Sequence, residues 1–115
     1  MNIIRHNPGK VLSDAVEYGN IVFLAGITAT DLDLNVSGQT REILSQIDRL
    51  LTKANTDKSK ILSANIWLTD IRNRDSMNEE WLKWVDKGNL PARATVEAKL
   101  ADPRILVEIA IIAAK

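Results

Sequence analysis

Arg93 is one of two residues in this 115-residue sequence whose type and surroundings favour chemistry. It follows Leu90-Pro91-Ala92 at the start of a predicted strand, and the proline disfavours helix there and fixes the entry of the chain. A guanidinium at the mouth of a strand can offer two parallel hydrogen bonds to a carboxylate. The residues alone leave open the alternative, which is an arginine that only faces solvent.

Glu108 is the second such residue, and its neighbours along one face of the last predicted strand are all apolar: Leu106, Ala110 and Ile112. A carboxylate that loses part of its hydration becomes better suited to proton transfer. The alternative is a structural ion pair that only holds strands together. We expect the last two strands to be neighbours, so that Arg93 and Glu108 together grip a carboxylate and move a proton.

The composition excludes several kinds of site. The chain has no cysteine and only one histidine, His6, which excludes thiol catalysis, disulfides, zinc–thiolate sites and any metal site that needs two histidines. Its net charge of zero gives no basic field for a phosphate backbone, so no nucleic-acid partner is expected. No apolar run is long enough for a signal peptide or a membrane span, which makes a cytoplasmic location the default expectation.

The first third of the chain has the pattern of strands. Ile3-Ile4 predicts a short edge strand, and the Gly19-Asn20 pair predicts the two-residue turn of a hairpin. The second strand of that hairpin, residues 21–27, is apolar without alternation, which is typical of a strand buried on both faces. Alternation also predicts a strand that begins at Ile61.

Two amphipathic helices follow from the spacing of apolar residues. The first is predicted over residues 37–54 with Ser37 as its N-cap. The second is predicted over residues 76–87, where Ser76 and Glu79 have the spacing of a capping box, and the following Gly-Asn pair should end it. Its tryptophans are expected in the core rather than in a ligand site.

The predicted element order is β-β-β-α-β-α-β-β, an α+β pattern in one domain over residues 1–115, with both helices packed on one face of the sheet. Residues 21–27 and 105–113 are nevertheless apolar on both faces. A single copy would therefore expose an apolar patch larger than soluble monomers usually carry. Another subunit is the simplest cover for the second face.

The string Pro91-Ala92-Arg93, with Val96, Leu100 and Val107-Glu108-Ile109 at this spacing, resembles the signature of the reactive-intermediate deaminase family (RidA or YjgF-like), nearest to its YoaB-like branch. The resemblance extends over nearly the whole chain. It implies a chorismate-mutase-like fold and a homotrimer, whose sheets form an inner barrel with pockets at the subunit clefts. It also implies hydrolysis of 2-enamino and 2-imino acids to 2-keto acids and ammonia, without a cofactor.

The resemblance also implies roles for single residues. Arg93 corresponds to the arginine that binds the carboxylate of a small metabolite, and Glu108 to the glutamate that positions or activates water. The further substrate-binding positions that it implies are Thr95, Ala25, Gly26 and Asn78.

One departure from the family pattern concerns a pocket tyrosine, which aligns near Leu12 or Ser13 and is absent here. This absence favours an alternative function, the binding of 2-keto acids or similar metabolites without turnover. A third alternative attached to the family is an endoribonuclease or translation inhibitor, which the zero net charge disfavours.

Overall fold

The computed structural model describes residues 1–115 and contains six strands and two α-helices. The strands are β1 (Ile3–His6), β2 (Ala15–Tyr18), β3 (Ile21–Leu24), β4 (Ile61–Leu68), β5 (Ala92–Glu97) and β6 (Val107–Ala114). The helices are α1 (Val36–Lys53) and α2 (Arg74–Trp84), and one-turn 3₁₀ helices precede β4 and α2. The predicted order of elements is confirmed.

The six strands form one sheet in the order β1-β2-β3-β6-β4-β5. All neighbours are antiparallel except β4 and β5, which are parallel because α2 carries the chain back between them. In this order β6, which holds Glu108, lies in the middle of the sheet, and β5, which holds Arg93, forms one edge. The expectation that these two strands are neighbours is wrong, since β4 lies between them.

The hairpin turn between β2 and β3 is confirmed. Gly19 has φ +59°, the left-handed conformation that glycine adopts without steric cost. The regular part of β3 is shorter than predicted and ends at Leu24. Beyond Ala25 and Gly26, which lie outside the regular strand, Ile27 pairs with Ile109 through two backbone hydrogen bonds of 2.8 and 3.1 Å.

Helix α1 begins one residue earlier than predicted. Its N-cap is Asn35, whose side chain accepts a hydrogen bond of 2.9 Å from the N–H of Gly38, and Ser37 lies inside the helix. The second helix also begins earlier, at Arg74, because a 3₁₀ turn leads directly into it. Ser76 therefore lies inside the helix, so its predicted capping box with Glu79 does not form, and the actual N-cap, Asn73, makes no side-chain capping bond.

The core lies between the helices and one face of the sheet. Val107, Ile109 and Ile111 of β6 are fully buried there, against helix residues such as Ile43 and Ile47.

The second helix ends at Trp84, three residues earlier than predicted, because Val85 adopts an extended conformation. The expectation that tryptophans enter the core is confirmed for Trp81, which is 5% exposed.

The opposite face of the sheet is open in a single chain. Alternation along the strands places Tyr18, Phe23 and Val96 on this face, and their exposed fractions are 51%, 44% and 49%. Ala110 and Ile112 of β6 lie between them and are half-buried. The sheet thus presents a broad apolar surface that the two helices do not cover. Neither helix is long and apolar enough to cross a membrane.

Candidate functional site

Glu108 lies on the open face of the sheet, directly opposite Trp67 of β4. Its side chain forms no ion pair and no hydrogen bond within the chain, although it is half-buried. A structural salt bridge with an arginine or lysine of the same chain therefore does not explain this residue. A carboxylate on an apolar face without a partner is available to a water molecule or a ligand.

The carboxylate of Glu108 lies over Gly26, just beyond the end of β3. A Cβ atom at position 26 would lie 2.2 Å from Glu108 Oε2, so a side chain there and the observed position of the carboxylate exclude each other. The neighbouring Ala25 is half-buried, and its N–H donates to the carbonyl of Asp14 at 2.9 Å. The structure thus brings together three of the residues predicted from the sequence: Ala25, Gly26 and Glu108.

Arg93 lies on the helix side of the sheet. It pairs in register with Ala64 of β4, whose side chain is fully buried beneath the helices. Its guanidinium stands over the ring of Trp81, with Cζ 5.3 Å from the ring centroid, which is a cation–π geometry. Partial burial, and to a smaller extent the positive charge of Arg74, lower the pKa of Arg93 from its usual value.

A shallow cleft of about 300 Å³ lies between α2 and the start of β5. The residues that line it include Asn78, Trp81, Val85, Leu90, Pro91 and Arg93. Its walls are largely apolar, and the guanidinium of Arg93 is the one charged group in the lining. This combination is typical of a site for a small anionic molecule.

Two polar atoms near this cleft have no hydrogen-bond partner. The buried atoms Asn78 Oδ1 and Thr95 Oγ1 lack one, and Thr95 projects to the same side of β5 as Arg93. A buried polar atom without a partner costs about 1–3 kcal/mol, so such atoms mark places where a ligand or water supplies the missing bond. Arg93, Thr95 and Asn78 therefore form the second group of predicted residues that the structure brings together.

The two groups lie on opposite sides of the sheet within one chain. Glu108 and Gly26 are on the open side, in the middle of the sheet, and Arg93 is on the helix side of the edge strand β5. Side chains alternate between faces along a strand, and the register fixes these sides. One copy of the chain therefore does not bring Arg93 and Glu108 together.

The sequence did not indicate Trp81 as part of the site, because the helical spacing of the tryptophans is equally that of core residues. The segment around Leu12 and Ser13 is a loop between β1 and β2, in which Leu12 is 57% exposed. His6 lies away from both groups and contacts Glu17 across β1 and β2. No cluster of three acidic or histidine side chains suits a metal ion.

Sequence comparison identifies relatives over the whole chain. The family model described as Endoribonuclease L-PSP matches residues 5–115. A RutC family protein from Haemophilus influenzae is 44% identical over 114 residues, which cover 98% of this chain and 98% of that protein. The RutC family protein YoaB from Escherichia coli K12 is 40% identical over 114 residues, with 99% of each chain covered.

Structural comparison gives the same answer. A member of the YjgF protein family from Neisseria meningitidis superposes with a TM-score of 0.97 at 39% identity, over 100% of this chain and 96% of that one. A protein from Pseudomonas aeruginosa superposes with a TM-score of 0.96 at 35% identity, over 99% of both chains. The chain therefore belongs to the RutC (YjgF/RidA) family and has its chorismate-mutase-like fold.

Proposed function

We propose that this protein hydrolyses reactive 2-imino and 2-enamino acids to 2-keto acids and ammonia, at a site built between copies of the chain. The observation that carries the proposal is the unpaired carboxylate of Glu108 above Gly26, on an open apolar face. Membership of the RutC family supports a role of this kind at the level of the family.

The assembly follows from the two faces of the sheet. Burial of the open face, which carries Phe23, Val96 and their neighbours, requires other copies, and a homotrimer with inward-facing sheets provides them. The edge strand β5 then brings Arg93 to the boundary with a neighbouring copy. There the Gly26–Glu108 pair of that neighbour completes the site.

In the proposed mechanism, Arg93 holds the substrate carboxylate with two hydrogen bonds, and the unpaired atoms of Thr95 and Asn78 contact the substrate or its water. Glu108 accepts a proton from a water molecule, whose oxygen attacks the imine carbon. The same carboxyl then gives the proton to the nitrogen. This gives a carbinolamine, with a hydroxyl and an amino group on the same carbon. Glu108 then takes the hydroxyl proton and passes it to the amino group, so that the C–N bond breaks as the C=O bond forms and ammonia leaves. Positioning and one acid–base residue, typically worth ~10²–10⁴-fold, suffice for a reactive substrate.

Binding without turnover is the second candidate, because the loop around Leu12 and Ser13 carries no tyrosine. An assay in which an amino-acid oxidase generates the imine, and semicarbazide traps what is not hydrolysed, distinguishes turnover from binding alone. We expect the wild-type protein to accelerate imine loss and ammonia release, and Glu108→Gln to lower turnover by roughly 10²-fold while 2-oxobutyrate binding stays nearly unchanged. Binding of 2-oxobutyrate by a wild-type protein that leaves the imine lifetime unchanged would favour the second candidate.

A further inference from the structure

The helix α2 presents one row of residues toward the cleft. Arg74, Asn78 and Trp81 are spaced i, i+4 and i+7, which places them on the same face of the helix. Asn78 and Trp81 line the cleft beside Arg93. Arg74 lies one turn before Asn78 and extends this row toward the start of the helix.

Arg74 has little compensation for its charge. Its one ion pair is with the adjacent Asp75 at 3.9 Å, and the Asp75 side chain is 90% exposed, so this contact contributes little. Arg72 differs sharply, because its guanidinium makes close hydrogen bonds of 2.7 to 3.1 Å to both oxygens of Asp70. Arg74, the one arginine of this helical row, therefore has no firm partner within the chain.

Arg93 also lacks an acidic partner, and its guanidinium stands over the ring of Trp81. Partial burial first, and then the positive charge of Arg74, lower the pKa of Arg93 from its usual value. Glu97, on the same side of β5, is already held by a hydrogen bond of 3.0 Å from the N–H of Ile71. Arg93 in the cleft lining and Arg74, one turn of α2 before the lining residue Asn78, are therefore two guanidinium groups on neighbouring elements, and neither is held by a buried carboxylate.

Two like charges in this arrangement repel each other until an anion binds between them or contacts both. A substrate with one carboxylate satisfies Arg93 and leaves Arg74 unpaired. We propose that Arg74 is a specificity-determining residue, and that the site prefers 2-imino acids that carry a second carboxylate at the far end of the side chain. This inference rests on the proposed function, because it assigns the first carboxylate to Arg93.

The test compares two 2-keto acids of similar length in calorimetric titrations at low salt: 2-oxoglutarate, with two carboxylates, and 2-oxohexanoate, with one. We expect the wild-type protein to bind 2-oxoglutarate about fivefold more tightly, the scale of a partly exposed ion pair. Arg74→Gln should abolish this preference and change the affinity for 2-oxohexanoate by less than about twofold. Arg72→Gln is the matched control and should keep the preference. Added salt should weaken the preference in the wild-type protein.

Equal affinities for the two keto acids in the wild-type protein, or a preference that survives Arg74→Gln, would overturn the assignment of Arg74. The proposed function would stand without the Arg74 assignment if the wild-type protein bound both keto acids and Arg93→Lys lowered the affinity for both. If neither keto acid bound at millimolar concentration, the proposed function would fall together with this inference.

Discussion

The carboxylate of Glu108 occupies the space beside Gly26 that a side chain would need. A Cβ atom at position 26 would lie 2.2 Å from Glu108 Oε2. The residue at position 26 has no positive φ, so glycine is not required there by the backbone. Its presence is explained by the carboxylate above it. If a side chain were introduced at position 26, the end of the Glu108 side chain, rather than the backbone, would have to move.

Gly26→Ala should therefore affect activity much more than stability. The methyl group displaces the Glu108 carboxylate, so we expect imine turnover to fall by roughly 10-fold or more, as for other losses of a positioned acid–base group. The free energy of unfolding should change by about 1 kcal/mol or less. Gly88→Ala is the control, since a Cβ there meets nothing closer than 3.5 Å. Equal turnover in both alanine variants would show that the position of Glu108 is unimportant.

Arg93→Lys tests the carboxylate contact. Lysine keeps the charge and can remain over Trp81, but it loses the planar pair of donors. We expect the affinity for 2-keto acids to fall by about 1.5–3 kcal/mol, the scale of a charged hydrogen bond. The melting temperature should hardly change, because Arg93 has no ion-pair partner in the chain. A calorimetric titration with a melting curve on the same sample checks both, and unchanged affinity would end the carboxylate-binding assignment.

A pH-dependent contribution to stability is expected at Glu17, which is 5% exposed and lies between Lys115 and His6. The Lys115 ammonium, 2.5 Å from Oε1, and then His6 lower the pKa of Glu17 in the folded protein. A lowered folded-state pKa stabilises the fold above the unfolded pKa of about 4.3, and this contribution is lost as the pH falls through the folded value.

Glu17→Gln should consequently be less stable than the wild-type protein at pH 7, by about 1–3 kcal/mol, and this difference should shrink as the pH falls below about 4. Urea denaturation at pH 7, 5 and 3.5 measures it. Asp102→Asn is a useful control, because that carboxylate also has a lowered pKa but pairs with Arg104 at the surface. A stability difference for Glu17→Gln that is independent of pH would contradict the electrostatic explanation.

The parts of the fold that depend on local pattern were predictable from the sequence. The turn at Gly19, the alternation along β6 and the order of elements all follow from residues close together in the chain. Strand order was not predictable in this way, because the insertion of β6 between β3 and β4 depends on pairing between distant segments. The start of α2 was missed because a 3₁₀ turn leads into the helix before Ser76.

The candidate site was predictable in its members but not in its arrangement. The family signature pointed to Arg93, Glu108 and Gly26, and the structure places Glu108 against Gly26. The parallel register of β5 against β4 decides the face of the sheet on which Arg93 lies. Local spacing in the sequence does not encode this register. The contact between Trp81 of α2 and Arg93 of β5 emerges only from the three-dimensional fold.

Subunit mixing provides the sharpest test of a site that takes Arg93 from one copy and Glu108 from its neighbour. Arg93→Ala and Glu108→Gln should each be nearly inactive alone. If they are unfolded together in equal amounts and refolded, random assembly unites an intact Arg93 with an intact neighbouring Glu108 in about a quarter of the sites. We therefore expect activity to recover to about a quarter of the wild-type value. Activity that stays at the level of the separate variants, in samples that sediment as mixed trimers, would contradict a site shared between copies.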